Sequence, residues 1–421
     1  MLRRCVYASA TLAVFVGVAA AQENRCWSRH DVTGPQRRHF AAMVYDAARE
    51  QCILFGGVTV PGGELSAETW SWDGRRWLLL ATEGPSPRAS HAMTYDSHRQ
   101  VVILYGGSDD SRSQGDTWEW NGSRWALVAT EGPGRRTGHS LAYDSRRARA
   151  VLSPDRRNPS ETWEWDGASW RLAGLHGPGG QNYAPMVFDE SRGVTVLTGG
   201  LDAQYTFNFT WEWDGANWTA VSITGPERAM MPMVYDSLRA QCVIFGGMSR
   251  LPDRSHHETF AWTGSEWLTL AETGPSKRFA HAMAYDSARD RIVLFGGVSA
   301  VPWATTGDTW EFGEPRPELR VMSSCPGGGP IGVEWSGATP RALIALLFAP
   351  ESGHGQVWNQ PACNHITIGL ARPDYRLIST ARSDALGSGR MIGRIPRRAC
   401  GGFLEVLDLP TCRVTQAVQI E

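Results

Sequence analysis

The sequence predicts an all-β protein: six four-stranded sheets set as the blades of a propeller and closed by the N-terminal strand, followed by a small C-terminal β-sandwich. Three observations predict it. A unit recurs around a Tyr-Asp step, once Phe-Asp, at Tyr45, Tyr95, Tyr143, Phe188, Tyr235 and Tyr285, a period of 45 to 50 residues. Every unit consists of short apolar or alternating runs divided by turn residues, the pattern of strands and not of helices. One end of the array carries a strand that the other end lacks.

Taken in order, residues 1–21 hold Arg3 and Arg4, an apolar run, and Ala19-Ala20-Ala21 before Gln22, the layout of a secretory signal peptide too short to span a membrane. An exported protein, secreted or at the cell surface, is expected. Loss of the two arginines takes the formal charge from -2 to -4, so no general attraction to nucleic acid is implied. A second long apolar segment is lacking, and no integral membrane anchor is expected.

Residues 22–313 read as the propeller, and 278–297, RFAHAMAYDSARDRIVLFGG, with DTWEFG from Asp308, is its plainest unit. The first strand alternates large His281, Met283 and Tyr285 with small Ala282 and Ala284, which suits close packing at a crowded axis. A turn follows in which Asp precedes Arg by three places: Asp46 and Arg49, Asp96 and Arg99, Asp144 and Arg147, Asp189 and Arg192, Asp236 and Arg239, Asp286 and Arg289. Asp favours such a turn because its carboxylate accepts nearby backbone N–H groups, and the Arg can close over it. The second strand is an apolar run ending in Gly-Gly. The third is Thr-Trp-Glu-Trp or a variant, ending in Asp-Gly or Asn-Gly at Asp73, Asn121, Asp166 and Asp214, a strong hairpin signal. The fourth carries a Trp three residues beyond that Gly.

Trp27 decides the architecture. The fourth-strand Trp77, Trp125, Trp170, Trp218 and Trp267 each stand seven residues before a Gly-Pro, and Trp27 stands seven before Gly34-Pro35. The unit from Arg278 ends at Gly313 without such a Trp. The N-terminal strand is therefore expected to complete the last blade, which removes the open end of a linear array. Sixteen of the nineteen Trp occupy repeat positions, and that assigns them to the core between blades and not to a ligand platform.

These motifs resemble the kelch family, including the kelch-like propeller of the galactose oxidases. The Arg before the first strand, the Gly-Gly, the aromatic third strand and the fourth-strand Trp carry the resemblance over 27–313; the third unit departs, with AVLSP at 150–154 in place of Gly-Gly, and an altered turn is expected there. In ligand-binding members the matching arginines often line the pocket. Here they are Arg38, Arg88, Arg136, Arg228 and Arg278, with Gln181 in the fourth unit. The resemblance thus implies an anion-binding ring at a channel mouth. Against it stands structural pairing with the acids before each third strand: Glu68, Asp116, Glu161, Glu258 and Asp308, with Phe209 in the unit that also lacks the Arg.

The loops between second and third strands differ most among units and are expected to hold recognition residues: Asp109 and Asp110; Tyr205 and Phe207; Arg250, Arg254, His256 and His257; and Trp303. His91, His139 and His281 share one first-strand position. Three His around an axis could bind a metal, but a repeated position argues for hydrogen-bonded packing, and no metal or cofactor is expected. A copper radical oxidase would need a Tyr linked to a Cys, and no Cys falls at a channel position. No phosphate loop, nucleophile elbow or HExxH is found.

The sequence 314–318, EPRPE, reads as a linker, and 319–421 as the β-sandwich. Cys325, Cys363, Cys400 and Cys412 fit two disulfides with three open pairings. SCPGGG, ACN, ACGGF and LPTC resemble C-terminal modules on secreted proteins of planctomycete-like bacteria, which implies an adhesive, sorting or structural role. Cys52 and Cys242, at matching second-strand sites, are expected as buried thiols, and Cys26 is left odd.

Two functions are compatible with these features. One is a secreted non-enzymatic recognition protein binding a glycan or protein through the face that bears the loops between second and third strands; it predicts paired arginines and a shallow aromatic face. The other is a carbohydrate-active enzyme, a sugar-acid epimerase or an oxidase; it predicts unpaired arginines converging on a deep pocket beside a His or Tyr.

Overall fold

The computed structural model describes residues 25–314 apart from 156–157, 159, 251–254 and 301–302, and beyond 314 the strands together with Ser383 and Ser388. The expected signal peptide, Arg254 and the four C-terminal cysteines lie outside the described residues. Among the described residues the chain forms strands and turns without helices, and it divides into two compact units, Met1–Gly313 and Glu314–Glu421.

In the first unit the described residues form six four-stranded antiparallel sheets in a propeller-like arrangement. The second sheet shows the pattern: Ala92–Asp96, Val101–Tyr105, Thr117–Trp120 and Trp125–Ala129 pair in chain order. Its first turn closes because Asp96 accepts the N–H groups of His98 and Arg99 while the Arg99 guanidinium returns to the same carboxylate at 2.7 Å. The residue after that Arg is left-handed, at Gln100 and likewise at Glu50, Ala148, Gly193, Ala240 and Asp290. The second hairpin turns at Asn121, whose side-chain oxygen accepts from the Ser123 and Arg124 amides. Val102, Ile103 and Leu104 of the second strand are wholly buried. Each side chain of that size contributes roughly 1.5–3 kcal/mol when removed from water.

The sheet of Ala282–Asp286, Arg291–Phe295 and Thr309–Gly313 has no fourth strand following it in the chain, and Cys26–His30 takes that place with Trp27 opposite Phe312. Trp27 also behaves as a fourth-strand Trp. Each such indole donates to the Thr that opens the third strand of the preceding sheet: Trp77 to Thr309 and Trp125 to Thr69, both at 2.8 Å, and Trp27 to Thr259 at 2.9 Å. The sheets are therefore stitched by buried indole N–H groups that would otherwise cost about 1–3 kcal/mol each.

A second relay links third strands. Trp72 donates to Glu311, Trp165 to Glu119, Trp213 to Glu164 and Trp262 to Glu212, and each Glu also takes the Arg that follows its own sheet's first turn. Two positions differ. Where the Glu is Ala261, the facing residue is Phe312, which has nothing to donate. Where it is Ser71, the facing Trp120 keeps its indole N–H buried without a partner.

The Gly-Gly motif turns each second strand out of its sheet. In the third unit, where AVLSP replaces it, Ser153 instead exchanges hydrogen bonds with Ser140, its amide donating to the Ser140 carbonyl and its hydroxyl accepting the Ser140 N–H. Cys52 and Cys242 are free and wholly buried, and burial pushes both thiols well up.

In the second unit Glu318–Ser323, Gly329–Ser336 and Gly389–Ile395 form one sheet, and Arg376–Arg382, Leu343–Ala349, Phe403–Asp408 and Arg413–Val414 another, with Val418–Gln419 also on Phe403–Asp408. Ser352–Gln356 pairs with Thr367–Leu370. Glu318, expected in the linker, already pairs with Ser336, because the chain is free to enter a ladder one residue past Pro317. Four of these strands, Glu318–Ser323, Gly329–Ser336, Arg376–Arg382 and Gly389–Ile395, carry Gly or Arg at intervals that hide the alternation.

Candidate ligand-binding face

The five arginines lie at the starts of the sheets, with Arg38, Arg88, Arg136 and Arg278 at most 1 % exposed and Arg228 7 %. Arg88 engages all five of its N–H groups: two on Asp116 at 2.7 and 2.9 Å, one on the Gly106 carbonyl, two on the Ser86 carbonyl and hydroxyl. Arg278 does the same with Asp308, Gly296 and Ser276. Arg38 holds Glu68 at 2.6 Å, Arg136 holds Glu161 at 2.8 Å, and Arg228 holds Glu258 at 2.9 Å while lying over the Phe260 ring. Burial opposes ionisation of Asp308, but the hydrogen bonds and charge of Arg278 outweigh it and hold the carboxyl at about 2. The guanidiniums of Arg38, Arg88, Arg228 and Arg278 thus tie the entry of a first strand to a Gly-Gly carbonyl and to the start of a third strand, while Arg136, whose unit lacks Gly-Gly, bonds the Pro133 carbonyl and Glu161. Gln181 and Phe209 fill both places in the fourth unit.

The backbone beside the arginines joins neighbouring sheets. The carbonyl of Arg88 accepts from Gly57 and that of Arg38 from Gly297, each at 2.9 Å. Two residues beyond each Arg or Gln181 stand Phe40, Ser90, Gly138, Tyr183, Met230 and Ala280, all left-handed with φ between 53 and 69°. The amide of each donates to the carbonyl of its counterpart one unit earlier, and Phe40 donates to Ala280 at 2.9 Å, so the six bonds form a closed cycle. A side chain in this conformation costs about 1–2 kcal/mol, and five of the six residues have one.

Phe40 and Tyr183 stand opposite each other in that cycle, and their rings meet at 5.7 Å, tilted by 41°. Tyr183 reaches inward over Gly138, where a Cβ would lie 3.0 Å from its Cζ. Beneath the cycle lies a cavity of about 180 Å³ lined by the entries of all six first strands.

The loops between second and third strands border the same region. Tyr205, 63 % exposed, stands on a turn whose Asp202 accepts the Gln204 and Tyr205 amides, and Arg250 from the next unit donates to the Asp202 carbonyl at 2.8 Å. Phe207 is half-buried against Phe209. His256 bonds Ser249 and stands 3.9 Å from Glu258, whose carboxylate also accepts the His257 amide. Arg228, His256 and His257 therefore gather around Glu258, while Arg38, Arg88, Arg136 and Arg278 each stay with their own acid. Trp303 pairs with Ala300 in a local hairpin. Asp109 is turned onto its own loop, accepting from Ser111, Arg112 and Gln114.

His91, His139 and His281 pack edge-on against Phe55, Tyr105 and Phe245 of the preceding sheets. His139 forms the expected hydrogen bond, to the Tyr105 carbonyl at 3.1 Å, and His91 meets the backbone of Phe55 in the matching way; both ring nitrogens of His281 are buried without a partner. Among the described residues no three His, Cys, Asp or Glu side chains are grouped as a metal would require.

The residues of the closed cycle escaped the sequence reading, although they share one repeat position. Their signal was disagreement: Phe, Ser, Gly, Tyr, Met and Ala at a site fixed by its neighbours.

Among the described residues no helix is long and apolar enough to cross a membrane. No protein-family model matches the chain, and no curated protein matches it.

Proposed function

We propose that this is a secreted, non-enzymatic recognition protein, a six-bladed kelch-type propeller closed by its N-terminal strand, which binds a glycan or protein through the face bearing the loops between second and third strands, Tyr205 among them. The observation that carries the reading is the state of the arginines. An acid-binding enzyme of the kind the arginine ring implies requires guanidiniums that are free to meet a substrate. Here every one is buried on a carboxylate of its own unit, and what reaches solvent nearby is aromatic and mobile in composition from loop to loop. Six sheets, the pairing of Cys26–His30 with Thr309–Gly313, and the cyclic hydrogen bonds support the closed ring. The C-terminal unit would attach or space the propeller at a cell surface.

The test is retention of the full chain on a glycan array and on surface polymers, repeated with Tyr205→Ala and Arg250→Ala. Loss of retention with an unchanged melting temperature supports recognition by this face. A thermal shift with an acidic sugar that disappears in Arg278→Lys overturns it in favour of the enzyme.

A further inference from the structure

The cavity beneath the cycle is not required by the loop face and has its own chemistry. Its walls are the entries of six first strands, each paired on one side only, so backbone amides and carbonyls face inward between small side chains such as Ala42, Ala92 and Ala282. None of the residues that line it is Asp, Glu, Lys or Arg. One imidazole with both nitrogens unpartnered, His281, belongs to that lining and is 4 % exposed. Buried polar atoms in native proteins nearly always have a partner, from the protein or from a bound molecule. At about 30 Å³ per water the volume is equivalent to roughly six waters. A carboxylate or phosphate would enter without any cation to meet it, whereas hydroxyl groups both donate to imidazole nitrogen and accept from strand amides.

The upper mouth is narrowed by Phe40 and Tyr183. Both rings are half-buried, they meet each other across the cycle, and Tyr183 rests on a glycine. We propose that the cavity is a binding site for a small uncharged polyol, with the imidazole of His281 accepting a hydroxyl and the Phe40–Tyr183 pair acting as the gate. The site is separate from the loop face of the recognition reading and does not depend on it.

Ligand-observed NMR titration of the full chain with glycerol and erythritol, and with glycerate as the charged counterpart, tests the assignment. Saturable binding of a polyol and none of glycerate is expected. His281→Met, a residue the fold already carries at the same position as Met231, should weaken polyol binding at least tenfold; if that variant melts early, His281→Ala, matching Ala41 and Ala184, replaces it. Tyr183→Ala should speed exchange at least tenfold, and Tyr205→Ala should change nothing, which keeps this site distinct from the loop face. A cavity that takes up water only, equal binding of glycerate, an affinity indifferent to both His variants, or an exchange rate indifferent to Tyr183→Ala overturns the proposal.

Discussion

Glu212→Ala should destabilise the protein strongly, and Trp262→Phe should take part of that loss back. The Glu212 carboxylate is 14 % exposed and accepts from the Trp262 indole at 3.3 Å while pairing with Arg192. Removing it leaves a buried indole N–H unsatisfied, at about 1–3 kcal/mol. The ion pair adds about 1 kcal/mol, since Arg192 is 29 % exposed and retains Asp189 at 2.7 Å. The single variant should therefore lose about 2–4 kcal/mol, a fall of roughly 2 °C per kcal/mol for a unit of this size. In the double variant there is no N–H to leave stranded. The protein already contains that arrangement, with Ala261 facing Phe312. The two losses should thus fall short of additivity by about 1–2 kcal/mol, well above the few tenths expected of independent sites. Urea denaturation of the four proteins, followed by tryptophan fluorescence, measures the coupling. Additive losses within about 0.5 kcal/mol would refute the idea that these carboxylates are retained to satisfy the indoles.

Ser71→Glu should supply the acceptor that Trp120 lacks and give Arg49 a second carboxylate, raising the melting temperature by roughly 2 °C; a fall would show that the site cannot desolvate a carboxylate. Acid should weaken the fold from about pH 6.5 downward. Burial, reinforced by Arg88 and by Arg136, depresses His91 to about 3 and His139 to about 4, so the unfolded chain binds protons there that the folded one refuses. His281, also depressed by burial beside Arg278, adds to it, and each residue should steepen the loss by about 1.4 kcal/mol per pH unit over its window; Asp308 contributes only below about pH 4. His281→Met should flatten the curve by one such increment in denaturation at pH 7 and pH 5, and an unchanged slope would contradict the assignment. Ala148→Gly and Ala240→Gly, at left-handed turn positions where the fourth unit already has Gly193, should each stabilise the protein by about 0.5–1 kcal/mol, read as a higher urea midpoint.

The features legible in the sequence were those enforced at a fixed spacing by the same physical need in every unit. Asp46 to Arg49 and its five counterparts close turns, the Gly-Pro steps leave room for the next indole, and Trp27 announced a strand out of place. The direction of the arginines was harder, because an Arg three residues from a strand serves a ligand or a neighbour equally well until the acid across from it is located. The closed cycle was illegible because the usual marker of a left-handed residue is glycine, and Gly138 alone supplies it. The other five accept the conformation because their backbone groups are bonded on both sides. In the C-terminal unit, Gly329–Ser336 and Gly389–Ile395 lie in one ladder for seven residue pairs, yet their glycines break the alternation by which strands are read.

The partnership between Cys26–His30 and Thr309–Gly313 also imposes an order on synthesis. The first of the described strands emerges with nowhere to bind, and its partner is made about 280 residues later. Until the two segments meet, the strand edge at Thr309–Gly313 is equally open to a neighbouring chain, and such edges recruit one another readily. Joining two segments so far apart is slow, since the entropy of closing the intervening loop is lost before any contact rewards it. The pairing is thus open to a bimolecular competitor: an edge that finds the beginning of its own chain is covered, and one that finds another's is the seed of an aggregate.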